Sequence, residues 1–491
     1  MSEKEEKTSQ DVEPGLLEGK NVSRRQFLKF AGIAGATVGM GAGLGGLVAA
    51  CGGGTTTTSS APGTTGSTTA TTSGGSTTSV SAVATGREIK IGFVTPLTGG
   101  LASFGVPDSY CVDRAKEAIG GGIVCGDCKK HPITIVVSDS QSDSNRAAQV
   151  TGDLINNSKC DIIVTASTPD TVAPVSDQCE ANGVPCLSND CPWQPYIGSR
   201  SNGKLDTVFK WTYHTFWGLE DVQANFLDMW GQVPNNKQVS VMLPNDADGN
   251  AWRPGWANVW APAGLKPTDP GAFQDGTEDY TAQITTFKKA GCEIGMVVFI
   301  PPDFTNFYKQ AIQQGYKPPI STYAKALLFP QSVEAFGAIA NGLTTEVWWT
   351  PSHPFTSALL GETCQQFADK FTAAKNQQWT QPLLHFIIFE WAIDVLKRTA
   401  SVDDKNAIMT AVKSTKLETV IGPVDFSAPV EPVGPPWPAG PGHVVENVYK
   451  INHVSGQWVK GTKLPFELVT VANSGSPTIP IAAKEQPYTA G

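Results

Sequence analysis

The chain is short of charge, of histidine and of long apolar runs, and each shortage closes off a class of function. Only 16% of its 491 residues are charged, 36 basic against 45 acidic, and no Lys/Arg run of the kind that tracks phosphates occurs. No nucleic-acid partner is expected. After residue 50 nothing approaches 18 uninterrupted apolar residues, so no internal membrane span is expected either. The six histidines, His131, His214, His353, His385, His443 and His453, are scattered, and none stands in a GxSxG, HExxH or P-loop setting. Asp139, Asp143 and Asp190 offer a carboxylate set, but acids at strand ends are common. The reading is therefore not an enzyme, with no cofactor and no metal site.

Cysteine is less scarce. Setting Cys51 aside leaves nine, Cys111, Cys125, Cys128, Cys160, Cys179, Cys186, Cys191, Cys292 and Cys364. Outside the cytoplasm most are expected in disulfides, with an odd one left over. The Cys125–Cys128 pair, CGDC, sits in a turn, and no second CxxC or HxxxH completes a zinc set. A loop disulfide or plain thiols are expected there.

Residues 1–50 read as an address. Ser23 to Lys29, SRRQFLK, has the form of a twin-arginine export signal, and a Gly/Ala-rich segment closes on Leu47-Val48-Ala49-Ala50-Cys51. Small residues before a Cys resemble a bacterial lipobox, so Cys51 is the expected lipidation site, anchoring the chain at the outer face of the membrane. Residues 52–86 are nearly all Thr, Ser, Gly and Ala, without charge. Such a segment cannot bury enough apolar surface to order itself, and as a coil it spans roughly 30–35 Å, a tether.

The folded part alternates strands and helices. Strands are expected at Ile89–Thr95, within His131–Asp143 and at Asp161–Thr165, with helices over Pro107–Ile119 and Ser144–Asn156 between them. That spacing implies βαβ units and a parallel sheet. The alternation restarts at Val239 and includes a helix over Tyr280–Ala290, a strand at Ile294–Ile300 and a helix over Phe304–Gln314. A strand at Glu346–Trp349, helices over Gly361–Lys375 and His385–Thr399, and a hairpin over Val448–Val459 follow. Residues 466–491 read as a loose tail.

The stretch Asp161–Trp193 carries the sharpest site signal. Its two strands each end in a polar loop, ASTPD and then Ser188-Asn189-Asp190. The helix between them reads from about Thr171 to Asn182, with Gly183 as its stop. Open parallel sheets bind ligands at the carboxyl ends of their strands, and hydroxyls beside a helix start suit a small carboxylate.

IKIGFVTPLTGGLASFG, DSQSD before a helix, STPDTVAPVSD and GVPCLSND together resemble the leucine/isoleucine/valine-binding family, the type I periplasmic solute-binding proteins of ABC importers. EDYTAQITTFKKAG, a strand ending in PPDF, AIQQGYKPPI and IGPVDF resemble the same family, and the resemblance covers about Glu88 to Lys460. It implies two Rossmann-like α/β lobes with parallel sheets and a three-crossover hinge. Lobe 1 would be 87–209 with 350–420, and lobe 2 would be 211–345 with 421–465. It also implies a monomer that takes an amino acid, branched-chain or related, or a similar small carboxylate or amide. Hinge closure on the ligand would be read by the ABC permease subunits. The rival reading is a sensing receptor or regulator domain, amide- or urea-responsive, of the same fold; an extracytoplasmic hydrolase is the third.

Carried over by position, Phe104 would lie over the ligand side chain, and Ser167 and Thr168 would hold its carboxylate. Ser188, Asn189 and Asp190 would form the second loop. Asp248 with Asn250, and Pro302 with Asp303, would face the cleft from lobe 2. The chain departs from the pattern at Thr322–Phe329, TYAKALLF, which has Lys325 where the family places an acid for the ligand ammonium. Asp190 or Asp303 is the expected substitute. Trp211, Phe216, Trp217 and Trp252 add aromatic surface near the cleft, which leaves room for a larger or aromatic ligand, although Trp211, Phe216 and Trp217 are expected mainly as hinge and core packing.

Overall fold

The computed structural model describes residues 83–433, 438 and 440–489. The export signal, Cys51 and nearly all of the tether lie outside the described residues. Two seven-stranded sheets organise the described chain. The first runs edge to edge through Gly442–Val445, Val448–Lys450, Thr212–Thr215, Cys186–Asn189, Ile162–Ala166, Ile89–Thr95 and Ile133–Asp139. All its pairings are parallel except that of the Gly442–Val445 edge. The second runs through Phe466–Ala472, Val454–Lys460, Thr344–Val347, Ile320–Ala324, Ile294–Val298, Gln238–Met242 and Lys266–Thr268. Its last five strands are parallel and its first two antiparallel. The central strands IIVTA and IGMVV are buried at every residue, as parallel strands covered on both faces must be.

Local chemistry sets the elements. The helix Pro169–Asn182 starts on Thr168 in extended conformation, has Pro169 in its first turn and stops at Gly183 with φ 62°. That is the expected order of a hydroxyl at the cap, Pro just inside and a left-handed Gly just outside. The helix Ser144–Asn156 is capped by Asp143, whose carboxylate accepts from Arg146 N. Register then aligns the strand ends. Ala166 pairs with Asn189 and Asn189 with Thr215, so the loops that follow leave the first sheet level with one another. In the second sheet Val298 pairs with Ala324 and Val297 with Met242.

The chain passes between the sheets three times, at residues 216–218, 348–363 and 451–453. One hydrophobic core runs through both, from Phe93 and Leu187 by way of Phe216, Trp217 and Trp348 to Val241 and Ile294. The boundaries fall elsewhere than the sequence suggests. Thr212–Thr215 belongs to the first sheet, where Ser188 pairs with His214. The expected Val448–Val459 hairpin is divided, since Val448–Lys450 pairs with Thr212–Thr215 while Val454–Lys460 pairs with Thr344–Val347. Two apolar strands three residues apart read as a hairpin in sequence; here the three residues between them, Ile451 to His453, are a crossing.

Residues 466–489 are not loose. Phe466–Ala472 closes the edge of the second sheet, Ile479 and Tyr488 are buried, and the Tyr488 hydroxyl lies 2.6 Å from that of Tyr308. The disulfide expectation fails for Cys111, Cys125, Cys160, Cys179, Cys186, Cys191, Cys292 and Cys364, which are buried free thiols. They pack as small apolar side chains. With Cys125 free, the CGDC turn holds no internal bridge.

Glu485 is 3% exposed and neither carboxylate oxygen has a partner. Burial pushes it up to about 8 from an ordinary 4.5. The folded chain therefore keeps a proton there that the unfolded chain releases, so this group removes stability as pH rises from about 4.5 to about 8. Glu485→Gln is expected to flatten that arm, seen as a smaller fall in Tm than wild type between pH 5 and 8; an unchanged slope would reject the assignment.

Candidate ligand site between the lobes

The carboxyl ends of both sheets meet at one cavity. Ser167 and Thr168 follow Ile162–Ala166, and both hydroxyl oxygens are buried without a partner. Thr168 caps its helix through the backbone only, so its hydroxyl stays available. Two clusters of titratable groups, one from each lobe, reach the cavity that Thr168 lines.

In the first lobe Asp190 follows Cys186–Asn189 with φ 69°, a left-handed conformation that Asp tolerates better than most residues. His385 fixes it there. Nε2 of His385 lies 2.6 Å from Asp190 Oδ2 and Nδ1 lies 2.8 Å from Asp108 Oδ1, and all three side chains are at most 1% exposed. Asp108 also accepts from the Thr95 hydroxyl. Burial alone lowers an imidazole, but the two carboxylates outweigh it and raise His385 to about 10, so it is a charged double donor at neutral pH. Burial raises Asp190 to about 6 against the pull of His385. Its Oδ1 is unpartnered.

In the second lobe Lys325 follows Ile320–Ala324 with φ 62°, a strained conformation for a lysine, of order 1–3 kcal/mol. Its backbone N–H donates to Glu346 Oε1 at 2.8 Å, and its Nζ lies 2.8 Å from Asp248 Oδ2 and 3.4 Å from Asp246 Oδ2. Burial disfavours the ammonium, but Asp246 and Asp248 hold it well above the usual lysine range. Burial raises Asp248, and it pushes Glu346 up to about 8 even though the Lys325 N–H favours its ionised form. Asp248 Oδ1 and Glu346 Oε2 have no hydrogen-bond partner of good geometry. Asp248 is placed by the tight turn into Ala247–Trp252, where a Cβ on Gly249 would stand 2.1 Å from the Pro244 carbonyl oxygen.

Aromatic rings close the remainder. Phe104, Phe216, Trp217, Trp252 and Trp348 line the cavity beside Thr168, Asp190, Asp248, Lys325 and Glu346. Phe216 meets Trp348 edge-on at 5.0 Å, and Phe104 lies edge-on to Phe329 at 5.1 Å. The Trp217 and Trp348 indole N–H groups are buried without a partner. Space open to the centre of a water is only about 20 Å³, about one water's worth. Helix Trp193–Arg200 of the first lobe packs against Ala247–Trp252 of the second, so the lobes stand closed. Among the described residues no group of three or more His, Cys, Asp or Glu is arranged to hold a metal ion.

The structure brings Phe104, Thr168, Asp190 and Asp248 together at the cavity, with Ser167 beside Thr168 in the same loop. It directs the other candidates elsewhere. The Ser188 hydroxyl is 2.9 Å from His214 Nδ1, inside the first lobe. Asn189 donates its amide to the Thr215 carbonyl. Asn250 is exposed, and Asp303 is buried under the Tyr280 hydroxyl and Gly276 N–H. Trp217 and Trp252 line the cavity as well as packing, whereas Trp211 lies off it, under Lys210. Glu346 and the His385–Asp108 pair gave no sequence signal of their own. Glu346 stood in a recognisable strand, but its facing depended on a pairing with Val454–Lys460 that the sequence did not disclose.

Comparison with known proteins agrees with this architecture. The periplasmic binding protein family matches residues 88–435, and a twin-arginine translocation signal matches residues 21–41. A Leu/Ile/Val-binding protein homolog of Brucella melitensis is 24% identical over 364 residues, covering 70% of this chain and 89% of its own. Among solved structures, the leucine-binding protein LivK of Thermotoga maritima superposes with TM-score 0.63 at 16% identity, covering 78% of this chain and 99% of that one. LivJ of Streptococcus pneumoniae, solved with isoleucine, gives 0.61 at 18%, covering 78% and 99%. A solute-binding protein of Rhodopseudomonas palustris, solved with 3,4-dihydroxybenzoic acid, gives 0.62 at 17%, covering 78% and 96%. Family and fold are those of binding proteins rather than enzymes, and with the export signal they indicate a place outside the cytoplasm. With its two α/β lobes and three crossings, the chain belongs to the periplasmic binding protein family.

Proposed function

We propose that this chain is the solute-capturing subunit of an ABC importer, lipid-anchored through Cys51 and held off the membrane by the 52–86 tether. It takes up an amino acid or a similarly small polar solute by closing its lobes. The carrying observation is the cavity where both sheets end, with unpartnered polar atoms contributed by each lobe. A buried donor or acceptor left unmade costs about 1–3 kcal/mol, and a ligand that pairs with several of them at once recovers much of that. Since the cavity as the lobes stand has room for about one water, a larger solute fits only if the lobes part, and the three crossings supply the hinge.

A ligand at 100 times its Kd is expected to add about 2.7 kcal/mol to stability, several degrees in Tm. It should also change tryptophan emission, because Trp217, Trp252 and Trp348 line the cavity. A Tm shift without any emission change would place binding elsewhere. Thr168→Ala is expected to weaken binding by about 0.5–1.5 kcal/mol with little change in Tm. Ser188→Ala is expected to do the reverse, costing about 1 kcal/mol of stability and leaving affinity intact, since its hydroxyl is spent on His214. Calorimetric titration with thermal melts of both variants checks the pair, and equal affinity losses would return Ser188 to the ligand.

A further inference from the structure

The groups around the cavity are unbalanced in charge. Lys325 is the cation on the second-lobe side, and Asp248 and Asp246 already hold it at 2.8 and 3.4 Å. Asp170 from the first lobe and Asp275 from the second act on the same ammonium. On the other side the His385 imidazolium is spent on Asp108 and Asp190. Glu346 adds a further carboxyl, whose hydrogen bond of good geometry comes from the Lys325 backbone N–H, with the Trp348 indole also favouring its ionised form. Seven carboxyls therefore share two committed cations.

Three of those carboxyls reach the cavity wall with an oxygen to spare. Asp190 Oδ1, Asp248 Oδ1 and Glu346 Oε2 are buried and unpartnered, on residues no more than 2% exposed, and they come from both lobes. Phe104, Phe216, Trp217, Trp252 and Trp348 line the same cavity. An aromatic wall attracts an organic cation through the ring quadrupole, most strongly where water is excluded. A free carboxylate entering the same space would find the Ser167 and Thr168 hydroxyls but also three acids and no uncommitted cation, and burying a charge among like charges is strongly disfavoured. The unpartnered N–H groups of Trp217 and Trp348 can donate to an oxygen of the ligand, such as a hydroxyl or an amide carbonyl.

Taking the cleft to be the solute site argued above, we propose that its ligand is a small organic cation, an ammonium or amidinium on an apolar or aromatic body without a free carboxylate. A branched-chain amino acid zwitterion is then a poor ligand. The three free carboxylate oxygens hold the cationic head, Thr168 and the indoles orient it, and the rings cover its body.

The test is calorimetric titration of the full-length protein at pH 8 with two matched triplets: isoamylamine, leucine and 4-methylpentanoate, and phenethylamine, phenylalanine and 3-phenylpropionate. The expected result is that the amine binds at least about tenfold tighter than the zwitterion of its triplet, with the acids silent. A zwitterion or acid that equals or beats its amine overturns the proposal while leaving solute capture standing. Silence from all six, with no shift in Tm, counts against solute capture at this cleft and removes the proposal with it. Glu346→Gln keeps an acceptor for the Lys325 N–H while deleting the charge. It is expected to weaken the better amine at least about tenfold without lowering Tm, and unchanged amine affinity in a folded variant also overturns the proposal.

Discussion

The first lobe depends on one buried imidazolium. His385 joins three parts of the chain that are far apart in sequence: the helix opening at Asp108, the strand end at Asp190 and the turn entering Phe386–Arg398. Buried ion groups often contribute little net stability, because the loss of water offsets their attraction. Removing one partner is a different matter, since two carboxylates would then face each other unneutralised. The arrangement is better understood as a constraint on shape. It holds Asp190 in a left-handed conformation, commits Oδ2 to His385 and leaves Oδ1 free at the cavity.

The second lobe reaches the same result by other means. Lys325, also at positive φ, is held by Asp246 and Asp248, and its backbone N–H takes one oxygen of Glu346. Each lobe thus brings a strained residue at a strand end, and each leaves a carboxylate oxygen over. Between the lobes the core is not interrupted, because Phe216, Trp217 and Trp348 stand on the crossing segments and pack on one another as well as on the cavity. A hinge built from packed aromatic side chains has discrete arrangements rather than a continuum, since close-packed interiors resist gradual deformation.

How much of this was legible follows from which interactions are local. Ser144–Asn156 could be read to the residue because its Asp143 cap and apolar spacing both lie within the segment. Thr168, Asp190 and Asp248 could be placed because parallel strands end at one edge whatever their neighbours are. The Val448–Val459 segment misled because pairing partners are not written in a strand: Val448 answers to His214, some 230 residues earlier. Ser188 and Asp303, which the structure bonds within their own lobes, were not separable from the others for a related reason. A polar residue at a strand end faces either a ligand or its own lobe, and only His214 and Tyr280, both distant in sequence, decide between them. Glu346, on the strand beside the one that Lys325 follows, is a neighbour of Lys325 that becomes visible only once Thr322 is paired with Thr344.

The charge imbalance also bears on what drives closure. Bringing the lobes together sets Asp170 and Asp190 of the first against Asp248 and Glu346 of the second, in a space that excludes water. Like charges there repel far more than in solvent, so the closed form is tolerable alone only when some of these groups hold protons. The raised values of Asp170 and Asp190 at about 6 and Glu346 at about 8 come first from burial, and at Asp170 the facing Asp246 and Asp248 add to it. A ligand shifts such an equilibrium only by the difference in its affinity for the two forms. A cation makes that difference large, because it replaces the protons and neutralises charges that closure alone would crowd together; an uncharged solute of the same shape could not.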